Sequence, residues 1–155
     1  MLKLSKKAEY AILAMQYLAE NPGEKLNAKE IASNLDLSFE FLSKTMQALM
    51  KSGLVESQQG VKGGYLLTKE PENINLMEII NATEERIGIV DCLNGDEEEC
   101  IRNNHCVIKD PMLKIQKLID KIFIETSLQE LATGDLEKFS ANGKYNTLIE
   151  IESLI

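Results

Sequence analysis

The stretch Gly53-Leu54-Val55-Glu56-Ser57-Gln58-Gln59-Gly60-Val61-Lys62-Gly63-Gly64-Tyr65-Leu66-Leu67-Thr68 decides the fold. Its two ends, 54–57 and 65–68, have the period of strands, and the residues between them are rich in glycine, so the segment reads as a hairpin. Upstream the period is helical. Ser38 is a capping residue and opens a run in which Phe41, Leu42, Thr45, Met46 and Leu49 recur at spacings of three and four. Gly53 sits where a glycine commonly follows a helix end. Before that run, Asn27 caps a shorter helix, Glu30 closes the box, and Ile31, Ala32 and Leu35 form its apolar stripe to about Asp36. Two short helices joined by a tight turn and followed at once by a hairpin make a winged helix.

Working outward, Ser5 caps a first helix running to about Glu20, with Ala8, Ala11, Met15 and Leu18 at helical spacing and Tyr10 and Ile12 broadening the face. Asn21-Pro22-Gly23 stops it. Downstream, Pro71 marks the exit from the hairpin, and Asn75 caps a short helix from Leu76 to about Ala82. An irregular acidic stretch, 88–109, carries Cys92, Cys100 and Cys106. Asp110-Pro111 then restarts a helix, on which Ile115, Leu118, Ile119, Ile122 and Phe123 form a narrow apolar seam. Thr126 is expected to cap a last turn through Leu128 and Leu131, before a polar tail from Thr133-Gly134-Asp135 onward. The chain is therefore mainly α, divided into a winged helix-turn-helix at 1–70, a linker helix and cysteine loop at 71–109, a helix region at 110–133 and a tail at 134–155.

The 155 residues, 44% hydrophobic and 27% charged, suffice for a buried core. No run approaches the ~20 consecutive apolar residues of a membrane helix. The first residues also lack the apolar run and cleavage site of a signal peptide, so the expectation is a soluble cytoplasmic protein with no membrane partner. The net charge of -8 argues against binding nucleic acid when taken alone. Its distribution argues otherwise: residues 1–70 hold 9 basic and 8 acidic side chains, and the rest of the chain holds 8 and 17. Any nucleic-acid surface belongs to the first half.

In a helix-turn-helix the second helix enters the major groove with its first turns at the base edges, and a wing approaches the backbone or the minor groove. The exposed candidates are Ser38, Glu40, Ser43, Lys44 and Gln47 on that helix. Serine and glutamine serve phosphate or base, lysine donates to guanine or phosphate, and glutamate accepts from cytosine. In the wing, Gly60, Gly63 and Gly64 permit positive φ and close backbone approach to a phosphate, and Lys62 adds charge at the tip. The bland alternative is that the three helices and the hairpin serve only packing.

Three cysteines cannot all pair within one chain. Their spacing, C-x7-C-x5-C, lets three thiolates converge on one metal or iron-sulfur centre. The alternatives are small buried apolar residues, which the polar setting 96–106 disfavours, and a reactive thiol switch, against which Glu97, Glu98 and Glu99 beside Cys100 weigh. His105, the single histidine, stands directly beside Cys106. No phosphate loop or second catalytic base accompanies it, so the sequence does not read as an enzyme.

The opening Leu4-Ser5-Lys6-Lys7-Ala8-Glu9-Tyr10-Ala11, the segment from Ile31-Ala32 through Ser38-Phe39-Glu40-Phe41-Leu42, and the wing Gly53-Leu54-Val55, Gly60 and Gly63-Gly64-Tyr65-Leu66-Leu67 resemble the IscR/NsrR family of bacterial winged-helix regulators, also called the Rrf-two family. The likeness runs from about residue 1 to about residue 133. It implies a homodimeric transcription regulator, here a repressor of a palindromic double-stranded DNA operator. It also implies an iron-sulfur cluster, 2Fe-2S or 4Fe-4S, that senses redox state, nitric oxide or cluster supply through Cys92, Cys100 and Cys106. The seam at Ile115, Leu118, Ile119, Ile122 and Phe123 falls where the family has its long dimerisation helix. IscR-like members complete the ligand set with a histidine three residues after the third cysteine, but this chain has Lys109 there. NsrR-like members use an acidic side chain of the first helix, and Glu9 lies at the matching place, with His105 as the rival. The alternative within the same fold is a regulator without a cluster, acting through thiol oxidation or zinc.

Overall fold

A computed structural model describes residues 4–60, 63–84, 88–90 and 105–136. Helix α1 spans Lys6–Glu20, α2 Ala28–Asn34 and α3 Phe39–Lys51. Strands β1 (Val55–Gln58) and β2 (Gly64–Leu67) pair antiparallel, Val55 opposite Leu67 and Gln58 opposite Gly64. A single 3-10 turn, Pro71–Asn73, leads to α4 (Leu76–Asn81), and α5 (Lys109–Glu125) and α6 (Leu128–Thr133) follow. Among the described residues the fold is mainly helical with one small sheet, as expected.

The helix starts follow local chemistry. Ser5 Oγ accepts from Ala8 N–H at 3.2 Å, Asn27 Oδ1 from Glu30 N–H at 2.9 Å and Asn75 Oδ1 from Glu78 N–H at 2.9 Å, each satisfying a donor that the first turn leaves open. Of these three only Asn75 completes the reciprocal box, its own N–H donating to the Glu78 carboxylate. Glu30 reaches the Asn27 side-chain amide instead, so the box expected there is half made. Gly53 adopts φ +76 just past α3, as its position suggested.

Three expectations shift. The strands begin and end one residue away from the anticipated runs. Helix α5 starts at Lys109, not at Asp110-Pro111, and Ile108 caps it without a side-chain bond. Pro111 fits inside the first turn because its missing donor would have had no partner there. Ser127, not Thr126, caps α6, forming a full box with Glu130. Thr126 is diverted because its hydroxyl donates back to Ile122 O at 2.7 Å, closing α5.

The core gathers Met15 and Leu18 of α1, Ile31 of α2 and Leu42, Met46 and Leu49 of α3 around Leu54 and Val55. Ile74, Ile79 and Leu128 belong to the same cluster. Leu76 N–H donates to Thr126 O at 2.8 Å, and Leu128 N–H to Ile74 O at 2.7 Å, which clasps the start of α4 to the junction of α5 and α6. Helix α5, about 25 Å long, ends at this clasp.

Candidate nucleic-acid interface

The hairpin is held against the reading helix by a contact that the sequence did not suggest. Leu26, in the connection before α2, forms a bridge with Tyr65 through two backbone hydrogen bonds of 3.4 and 2.9 Å. Gly64 makes this approach possible: an added Cβ would stand 2.6 Å from Lys25 C and 2.7 Å from Leu26 N. Gly63 is likewise crowded by the backbone of Gln58 and Gly60. Of the three wing glycines only Gly60 has positive φ, +131. The expectation of positive φ at all three is therefore corrected for Gly63 and Gly64, whose smallness admits the protein's own backbone.

With the wing so placed, an open cleft of about 550 Å³ runs between α3 and the hairpin. Ser43, Gln47, Gly60, Gly63 and Gly64, all singled out from the sequence, line it. Ser38, Glu40 and Lys44 are exposed on or beside α3 but do not line it, and Ser38 is used as the helix cap. Lys62 lies outside the described residues. The cleft adds Asn27, Lys29, Phe39, Ser57, Gln58 and Gln59. Lys29 and the two glutamines were legible as polar residues, but nothing short of the wing's placement brings them to α3. Among the described residues the lining carries one cation, Lys29, and no acid. Such a surface can meet phosphate at its rim and offer amides and hydroxyls to base edges.

Two tyrosines of α1 brace the turn that aims α3. The Tyr17 hydroxyl accepts from Asn34 Nδ2 at 2.5 Å, at the end of α2. One heptad earlier, the Tyr10 hydroxyl accepts from Ser38 N–H at 3.4 Å, and its ring meets Phe41 edge-on with centroids 5.0 Å apart. Phe41, counted in the apolar run, is thus partly exposed and packs outward on α1. Between these braces Asp36 takes φ 51, a left-handed turn that aspartate tolerates.

Of the sensing residues, Cys92 and Cys100 lie outside the described residues. Cys106 is a free, half-buried thiol just before α5, and His105 beside it is exposed. Glu9 is exposed in the first turn of α1 and pairs with Lys6 at 2.8 Å; that hydrogen bond and the carboxylate's charge hold the Lys6 amine above its ordinary value. Ser5 N–H donates to the Glu84 carboxylate at 3.0 Å, which ties the chain leaving α4 to the same end of α1. On the far side, Ile89 N–H donates to Gln116 Oε1, and Gln116, nearly buried, passes a bond of 2.7 Å to Asp120. Among the described residues no three histidine, cysteine or acidic side chains gather.

On α5, Leu118, Ile119 and Phe123 are half-buried, while Ile115 and Ile122 are 42% and 38% exposed. Ile108, 55% exposed, extends the row, so Ile108, Ile115 and Ile122 stand seven residues apart on one face. No helix among the described residues is long and apolar enough to cross a membrane.

The family model described as "Rrf2: Iron-dependent Transcriptional regulator" matches residues 4–134. The chain is 30% identical over 137 residues to the HTH-type transcriptional regulator NsrR of Halalkalibacterium halodurans, covering 88% of this chain and 94% of that one. Among solved structures it is similar to CymR, the global cysteine regulator of B. subtilis, with a TM-score of 0.73 and 29% identity over 86% of this chain and 98% of the other. It is also similar to T. potens IscR, with a TM-score of 0.69 and 29% identity over 94% and 96%.

Proposed function

Since the chain belongs to the Rrf2 family of transcriptional regulators, a DNA-binding regulator and not an enzyme, we propose that it is a dimeric repressor whose operator affinity is set by an iron-sulfur cluster held in the cysteine loop. The observation that carries this reading is the convergence of Ser43, Gln47 and the wing backbone on one cleft, in a chain whose likeness to cluster-bearing relatives spans the cysteine positions. Recognition helices of two copies would enter successive major grooves of a palindromic duplex. The unpartnered row Ile108, Ile115 and Ile122 is the surface a second copy would cover.

The donor set fits a cluster: Cys92, Cys100 and Cys106 would supply thiolates, and Glu9 the fourth ligand, with His105 as its rival. Cys106 is free to ligate. The bond from Ser5 to Glu84 supports Glu9, because it holds the start of the loop at the end of α1 where Glu9 stands. A bound cluster supplies a centre whose charge and integrity change with redox state. The rest of the switch belongs to the chain. Ligation by Glu9 would break its pair with Lys6 and fix the first turn of α1. Tyr10, the next residue, carries any shift of that turn to Ser38 and Phe41 at the start of α3.

The test is anaerobic purification with iron and sulfide analysis and visible absorption, on the unaltered chain and on Cys92→Ala and Glu9→Ala, followed by operator titration with and without cluster. Equal operator affinity in both states sinks the switch, and a full, unaltered cluster in Glu9→Ala promotes His105. The runner-up, a regulator using its thiols or zinc directly, rests on the free thiol of Cys106; a colourless protein lacking iron and sulfide would favour it.

A further inference from the structure

Phe39, Ser43 and Gln47 stand four residues apart on one face of α3, along one wall of the cleft. Phe39 occupies the first position of the helix and leaves half of its surface, 50%, in water. The aromatic two places on, Phe41, has found its partner in Tyr10 within the protein. An apolar ring left half in water beside the polar Ser43 and Gln47, in a cleft whose lining also includes Ala28 and Tyr65, gains nothing from solvent and awaits an apolar contact. The base edges of a major groove are donors and acceptors with one exception, the C5-methyl of thymine, and contact with it is a recognised use of phenylalanine.

We infer that Phe39 is a specificity-determining residue that reads a thymine methyl in the operator, while Ser43 and Gln47 read polar edges further along the same face. The inference rests on the reading of the cleft as a duplex-binding site. Phe39 enters first because the opening turn of a recognition helix lies nearest the bases. Gln47, eight residues on, stands about 12 Å away along the helix, so its base lies roughly three steps from the thymine.

The probe is a duplex recovered by selection from a randomised library, with each thymine in turn replaced by deoxyuridine, which lacks only the methyl group. One thymine per half-site is expected to lower affinity about fourfold on replacement, and about fifteenfold when both half-sites are changed. Phe39→Ala is expected to bind the thymine duplex more weakly by a similar factor and to become indifferent to uracil. Phe39→Leu keeps an apolar group and retains the preference. Indifference of the unaltered protein to uracil at every thymine overturns the inference, as does undiminished uracil sensitivity in Phe39→Ala. A changed oligomeric state in Phe39→Ala with the uracil effect intact also overturns it, assigning the ring to a protein contact. Failure to enrich any duplex is a distinct result that removes the duplex-binding reading itself, and the role of Phe39 with it.

Discussion

Replacing Gly64 with alanine tests whether the wing is held by one close backbone contact. Gly64 does not adopt positive φ, so the substitution brings no conformational strain, only collision. The new methyl would lie 2.6, 2.7 and 2.8 Å from Lys25 C, Leu26 N and Leu26 C, all of them backbone and none able to rotate away. Two responses are open. If the strand stays, the overpacking costs about 1–3 kcal/mol. If it retreats by the roughly 1 Å needed, the 2.9 Å bond from Tyr65 N–H to Leu26 O is broken and the 3.4 Å bond beside it goes too. Two bonds at about 0.5–1.5 kcal/mol each give nearly the same range. We therefore expect a loss of about 2 kcal/mol, read as a lower urea midpoint with an unchanged slope. Gly53 is the control. It has φ +76 and open space around its Cβ position, so alanine there costs about 1 kcal/mol through backbone conformation alone. Asparagine should recover much of that loss at Gly53, and none at Gly64. Operator affinity of the folded Gly64→Ala protein should fall several-fold, since the cleft loses its far wall, while Gly53→Ala is nearly neutral in that assay. A Gly64→Ala protein within about 0.5 kcal/mol of the unaltered one would refute the reasoning.

Two further outcomes follow from the same structure. Burial works against ionisation of Glu78, but the Lys69 hydrogen bond, the Asn75 N–H and the Lys69 charge outweigh it and hold the carboxyl below its ordinary 4.5. Because the folded value lies below the unfolded one, the stabilisation is complete above the unfolded value and fades as pH falls through the folded one. The difference in urea midpoint between the unaltered protein and Glu78→Gln should be small at neutral pH and vanish in acid; a difference that grows on acidification contradicts the assignment. If the proposed dimer forms through α5, Ile115→Asp with Ile122→Asp should raise its dissociation constant at least about a hundredfold in sedimentation, two isoleucines at about 1.5 kcal/mol each, with helical content unchanged. An unaltered dimer would move the interface elsewhere.

Where the sequence was legible, the chemistry was local. Ser5, Asn27, Ser38 and Asn75 cap helices because a side-chain oxygen needs only the amide three residues ahead. Gly53 was readable because a helix end asks for a left-handed residue. The misreadings arose where two local solutions competed: Thr126 and Ser127 are both capping residues, and the choice depends on a hydroxyl turning back to Ile122. The cleft was only half legible. Ser43 and Gln47 could be placed on the reading helix, and Phe39 shares their face, but Lys29, Gln58 and Gln59 join them only through the pairing of Leu26 with Tyr65. That pairing spans much of the domain and leaves no periodic trace. Gly63 and Gly64 read as positions for positive φ because a glycine pair looks alike whether it serves a special φ or the close approach of the chain itself.

The clasp between the segments Ile74–Leu76 and Thr126–Leu128 has a bearing on how such a protein can diversify. The chain between these points leaves and returns at one spot, so its closure is secured at the stem, and lengthening the excursion adds only a slowly growing entropic cost. Under the proposed function the part of this excursion beyond α4 is the detector, and it can be lengthened, shortened or rebuilt while the winged helix keeps its core and its aim. On that reading, a stem of two hydrogen bonds makes the detector an exchangeable cartridge, and new signals can be acquired without learning again how to hold DNA.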